Sequence, residues 1–103
     1  MSNAVYEVLL EKKGRGRSFM GRPWAVRTFK LKEQNLEYYD GDKLKGTISI
    51  AGSKTGKIPP EEADGKTFPF AVATKEEKLI LNASCEEIRL RCIEIFNYAA
   101  TDK

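Results

Sequence analysis

The chain holds no histidine, and that absence removes both the commonest general base at neutral pH and the commonest metal ligand. Only two cysteines are present, Cys85 and Cys92, in a segment of helical periodicity. Seven residues of helix would hold them roughly 10 Å apart along the axis, too far to bridge, and two thiols alone do not complete a zinc site. They read as reduced thiols of an intracellular protein. No apolar run approaches the roughly 20 residues that a membrane-spanning helix needs. The opening MSNAVYEV lacks the basic and apolar regions of a secretory signal. Ser2-Asn3-Ala4 looks like an expression scar or a flexible N-terminus, and Ser2 in place of Gly rules out N-myristoylation of this chain. Internal repeats and low-complexity segments are absent too. What remains suits a single small domain over residues 1–103, with 41% hydrophobic residues to build one core.

One local scarcity matters more than the rest. From Lys12 to Lys32 there is no Asp or Glu, while Lys12, Lys13, Arg15, Arg17, Arg22, Arg27, Lys30 and Lys32 supply eight positive charges. The rest of the chain has ten basic residues against fifteen acidic ones, so the net +3 conceals a strongly separated distribution. Such a field orients a molecule toward a polyanion far better than a uniform +3 would. The acidic pairs Glu61-Glu62 and Glu76-Glu77 read as solvated turns with no catalytic partner nearby. With no nucleophile–base arrangement in view, neither an enzyme nor a cofactor nor a metal is expected.

Hydrophobic periodicity predicts a chain of short strands. Val5–Lys13 is the first, and Gly14–Pro23, with three glycines, three arginines and a proline, is a loop. In Trp24–Lys32 strand parity puts Ala25, Arg27, Phe29 and Leu31 on one face and Trp24, Val26, Thr28 and Lys30 on the other. Leu36–Asp40 and Lys43–Ile50 follow across turn residues. Residues 51–66 read as the longest irregular stretch, with a short extended piece at Ile58-Pro59-Pro60. Thr67–Ala73 is a strand in which Pro69 predicts an edge or a bulge, and Lys78–Leu81 is the last. Ser84 and Glu87 have capping-box spacing ahead of a helix to about Ala100. Its apolar face is Ile88, Cys92, Ile95, Phe96 and Ala99, widened by Leu90 and Ile93.

The succession WAVRTFKL, LEYYD, KLKGTISI, FPFAVAT, KLILNASCEE and RCIEIFNYAA resembles the pleckstrin homology (PH) domain family along nearly the whole chain. The resemblance implies a mainly β fold, a seven-stranded antiparallel sandwich or barrel closed by one C-terminal helix. It also implies a pocket between the first loops that takes phosphorylated headgroups of inner-leaflet lipids. The family's signature has a Lys near the end of the first strand, which Lys12 or Lys13 supplies, and an Arg in the second, matched by Arg27. Two positions before that Arg the family has Lys or Arg where this chain has Ala25, and Cys92 stands where its helix usually carries Trp. Tyr38 or Tyr39 resembles the family's phosphate-bonding tyrosine, and Lys43 and Lys45 fall where the fourth strand often adds basic contacts.

The expected function is therefore a non-catalytic module, peripheral at the cytosolic face of a membrane. Lys12, Lys13, Arg15, Arg17, Arg27, Tyr38 and Lys43 are its candidate headgroup ligands, and Phe19 and Met20, between Arg17 and Arg22, its candidate inserting tip. Phosphoinositide is the family default. Ala25 widens the class to phosphatidic acid or any acidic phospholipid. A protein partner docking on a sheet edge or on the helix is the alternative. Arg27 itself has a structural reading beside its ligand role, a pair with Glu37 across the sheet. Nucleic acid ranks last, because the chain lacks paired groove aromatics for stacking bases.

Overall fold

Alternating side chains in Val5–Lys13 and Trp24–Lys32 suit strands with one face on a core. In the computed structural model, which describes residues 5–14 and 24–101, these segments are β1 and β2. They pair antiparallel from Val5 opposite Lys32 to Lys13 opposite Trp24. β3 (Asn35–Asp40) and β4 (Lys43–Ser49) continue the meander, then β5 (Lys54–Lys57), a 3-10 turn at Pro60–Ala63, β6 (Pro69–Ala73), β7 (Lys78–Asn82) and α1 (Glu86–Thr101). The turn from β3 to β4 needs a left-handed residue, and Gly41 provides it at φ 63°.

The seven strands form one open antiparallel sheet in the order β4-β3-β2-β1-β7-β6-β5. β1 meets β7 only through Glu11 opposite Asn82 and Lys12 opposite Leu81. That short junction is the corner about which the sheet folds on itself. Leu10, Phe29, Leu31, Leu36 and Ile48 from one half then share a core with Phe70, Val72, Leu79 and Leu81 from the other, and α1 adds Cys92, Phe96 and Ala99. The fold is the expected seven strands plus one helix.

The helix fixes which end is closed. Near its C-terminus the carbonyl of Ala99 accepts from the Gln34 amide at 2.9 Å and that of Ala100 from the Gly52 N–H at 3.0 Å. Those two partners lie in the β2–β3 and β4–β5 connections, so α1 covers the end where they meet. The Lys13–Trp24 end of the β1–β2 pair and the β3–β4 turn lie at the opposite end. The core face of β1 and β2 runs out there.

Several expectations change. β5 falls inside the stretch read as irregular: Lys54-Thr55-Gly56-Lys57 has no apolar alternation to reveal it. Its pairing comes from β6 and from Asn97 of α1, which bonds both Thr55 N–H and Thr55 carbonyl at 2.8 Å. β6 is neither an edge strand nor bulged at Pro69. It lies between β5 and β7, and Pro69 is tolerated as its first residue, where a missing donor costs the ladder least. The helix begins at Glu86 rather than Ser84, and Leu90 faces solvent at 48% exposure instead of widening the buried face. Cys92 is fully buried and Cys85 exposed, both free thiols. Burial pushes the Cys92 thiol up to about 11, so at neutral pH it packs as a small hydrophobe.

Candidate functional site

Follow the inner face of β1 outward from the core. Val8 and Leu10 are its last apolar members, and Lys12 is the next residue of the same parity. On β2 the same face passes from Leu31 and Phe29, both buried, to Arg27 and then Ala25 opposite Lys12. On β3 it carries Leu36, then Tyr38 opposite Phe29. β2 turns polar at Arg27, opposite Leu10, and β1 one step further out at Lys12. The result is a polar mouth over the end of the core farthest from the helix C-terminus.

Tyr38 is its floor. The ring packs on Phe29 with centroids 5.6 Å apart, and the Lys12 ammonium stands 4.8 Å from its centroid, a cation–π contact. Gly46 of β4 explains how the ring fits. A Cβ there would lie 2.5 Å from the Tyr38 hydroxyl oxygen, so only glycine allows this approach. Between Tyr38 and Tyr39 the β3–β4 ladder slips by one residue. Lys45 is skipped, Leu44 faces Tyr39, and Lys43 comes opposite Asp40. The bulge therefore returns Lys43 to the mouth side, a use to which bulges beside functional sites are commonly put. Arg27 donates from Nη1 to the Val26 carbonyl at 3.0 Å, and the same nitrogen stands 3.9 Å from Asp40 Oδ1. Its other guanidinium donors make a planar fork suited to a phosphate.

Lys13 goes the other way. One residue on from Lys12, it faces the outer wall, where its ammonium lies 3.3 Å from Asp64. The Trp24 indole donates to that carboxylate at 2.8 Å, and Lys66 stands 5.1 Å from the indole centroid. Bonds from Trp24 and Lys13 hold the Asp64 carboxyl below its usual pKa. Lys66 also reaches Glu11 at 3.1 Å, and Asn82 donates to Glu11 at 2.8 Å. This outer group ties the 3-10 turn to the sheet corner. Its cations already have anionic partners.

Of the residues expected to bind a headgroup, the structure brings together Lys12, Arg27, Tyr38 and Lys43 and places Lys13 apart from them. Arg15, Arg17, Phe19 and Met20 lie outside the described residues. Tyr39 is turned to the outer face, where its hydroxyl donates to Glu37 at 2.7 Å and Lys30 covers its ring. Glu37 is therefore occupied by Tyr39 and by Lys32 at 3.3 Å, and it is Asp40 that faces Arg27. Sequence reasoning missed Asp40. The available signal was an acid three residues before Lys43 across a Gly-Asp turn.

A depression of about 330 Å³ opens on the outer wall between β1–β2 and the 67–68 and 82–84 segments. Leu9 and Val26 line it, 61% and 54% exposed, with Phe68, Glu11 and Asn82. Its lining holds no Lys or Arg and includes Glu11, so it offers a phosphate no cation. Among the described residues no cluster of acidic and thiol groups suits a metal, and no helix is long and apolar enough to cross a membrane.

A family model described as PH domain matches residues 4–100. The crystal structure of the C-terminal PH domain of pleckstrin is similar at 25% identity and TM-score 0.79, over 97% of this chain and 100% of that one. The same pleckstrin domain in complex with D-myo-Ins(1,2,3,5,6)P5 gives 25% identity and TM-score 0.79, over 98% and 100%. The PH domain of human oxysterol binding protein-related protein 11 shares the fold at 20% identity and TM-score 0.74, over 96% and 82%. No curated protein matches the sequence.

Proposed function

The chain belongs to the PH domain family, and on that premise we propose that it is a non-catalytic module that binds anionic phospholipid headgroups at the cytosolic face of a membrane. The observation that carries this reading is the convergence of Lys12, Arg27, Tyr38 and Lys43 on one face at the end away from the helix C-terminus. A phosphate there meets an Arg fork and two ammonium groups, with a phenol at the floor as a further donor. The pleckstrin domain solved with an inositol pentakisphosphate supports a phosphorylated polyol as ligand class. Phosphatidic acid presents the same phosphate chemistry without the ring.

Each cation held at an anionic surface contributes about 1 kcal/mol, so the three mouth cations alone give weak binding that direct phosphate bonds must supplement. Arginines of the β1–β2 loop, and Phe19 and Met20 entering the acyl boundary, are further contributors in this proposal. The apolar outer cleft with exposed Leu9 and Val26 favours a second reading, a protein segment docked on the outer wall.

Co-sedimentation with vesicles tests the first. Neutral phosphatidylcholine should leave the protein in solution, and vesicles with added phosphoinositide or phosphatidic acid should take it down. Arg27→Ala should weaken that binding by about 1–3 kcal/mol, as loss of charge-assisted bonds does. Lys13→Ala, on the wrong face and neutralised by Asp64, should change it by less than about 1 kcal/mol. Equal losses in the two variants would reduce the mouth to undirected electrostatics.

A further inference from the structure

Resting on that reading, we infer that Asp40 is a specificity-determining residue of the mouth, biasing it against headgroups that carry several phosphates. Three residues lie side by side here: Arg27 within β2, Asp40 at the end of β3 and Lys43 at the start of β4. The bulge at Tyr38/Tyr39 makes the arrangement. Without it, Leu44 would stand opposite Asp40 and Lys43 would fall outside the pairing.

The carboxylate is placed to act through its field rather than as a brace. It lies 3.9 Å from Arg27, near for Coulomb attraction and too long for a hydrogen bond, and its side chain is 63% exposed. A carboxylate that fixed the guanidinium structurally would close that distance, as Glu86 does to Arg89 at the start of α1, where a direct bond joins the two. Asp40 leaves Arg27 able to turn to a ligand.

Charge then sets what the mouth accepts. Among the described residues Lys12, Arg27 and Lys43 supply three positive charges and Asp40 removes one. Ala25 adds none, and Lys13 belongs to Asp64 on the other wall. A phosphate monoester carries about −1.5 to −2 at neutral pH, so each further phosphate adds that much negative charge to be held beside Asp40. A second monoester on the same ring brings further negative charge into the field of Asp40 and is repelled by it. Asp40 thus lowers affinity for densely phosphorylated headgroups more than for sparse ones.

The test compares the parent, Asp40→Asn and Asp42→Asn on phosphatidylcholine vesicles. These carry equal mole fractions of a phosphatidylinositol monophosphate, bisphosphate or trisphosphate, or of phosphatidic acid. Asp42 is the control: it is exposed in the same turn, removes the same charge, and has no ion pair with Arg27 among the described residues. In the parent, monophosphate and phosphatidic acid should behave alike, with little gain from further phosphates. Asp40→Asn should raise the trisphosphate-to-monophosphate affinity ratio about five- to tenfold, the scale of one charge at about 4 Å fully screened by water, as suits an exposed carboxylate. Asp42→Asn should leave the ratio unchanged. If both variants raise every affinity by a common factor while binding still needs Arg27, the inference is overturned and the function stands. If no acidic vesicle binds in an Arg27-dependent way, the function itself is overturned, and this inference with it.

Discussion

Phe96→Ala is expected to lower unfolding free energy by about 3–5 kcal/mol, the range for removing a buried aromatic ring from a close-packed core. Phe96 has no solvent exposure and packs on Phe70 of β6 with centroids 6.4 Å apart. It belongs to the one core that both halves of the sheet share, so its ring is the largest side chain that α1 contributes there. A domain of this size is stable by only about 5–15 kcal/mol in total, so the variant should show a much lower denaturation midpoint. Tyr98→Ala, two residues on but 78% exposed, should stay within about 0.5 kcal/mol of the parent. A small loss for Phe96 would mean that the helix merely covers the sheet instead of completing its core.

Phe29→Ala should cost as much, about 3–5 kcal/mol, and should also reach the mouth. Phe29 is fully buried on β2 beneath Tyr38, whose ring supports the Lys12 ammonium and lies against Gly46. Without Phe29 the Tyr38 ring can sink toward the cavity, and Lys12 loses the surface that positions it. Vesicle binding should therefore fall for Phe29→Ala even at low temperature, under conditions where the variant is folded. Phe96→Ala, folded under the same conditions, should keep its binding, because Phe96 packs on Phe70 of β6 rather than under Tyr38. Two core deletions of one size would thus separate by their effect on the site. Equal binding in both folded variants would show that the Tyr38 floor does not matter to the ligand.

Parity in β2 was legible because Phe29 and Leu31 alternate with Thr28, Lys30 and Lys32, and it correctly put Arg27 on the face of Phe29 and Leu31. The helix face was legible for the same reason at a period near four, save that Leu90 falls one step outside the contact. β5 was not legible. A four-residue strand of Lys, Thr, Gly and Lys has no pattern of its own and exists because β6 and Asn97 satisfy its backbone. The choice between Lys12 and Lys13 depended on the register of β1 against β2, which no single segment encodes. Asp40 was hidden for a related reason. Its neighbours are decided by a one-residue bulge, and a bulge between two tyrosines leaves little trace in composition.

The central claim is that a headgroup enters the mouth and not the outer wall, and backbone amide NMR during titration with a soluble inositol monophosphate tests it most directly. Shifts should concentrate at Lys12, Arg27, Tyr38 and Lys43, with the Tyr38 ring resonances moving as well. The outer group of Lys13, Trp24, Asp64 and Lys66, already paired within itself, should stay still, and so should the indole N–H bonded to Asp64. Shifts centred on Trp24 and Lys66, with Arg27 and Tyr38 unmoved at saturation, would contradict the account.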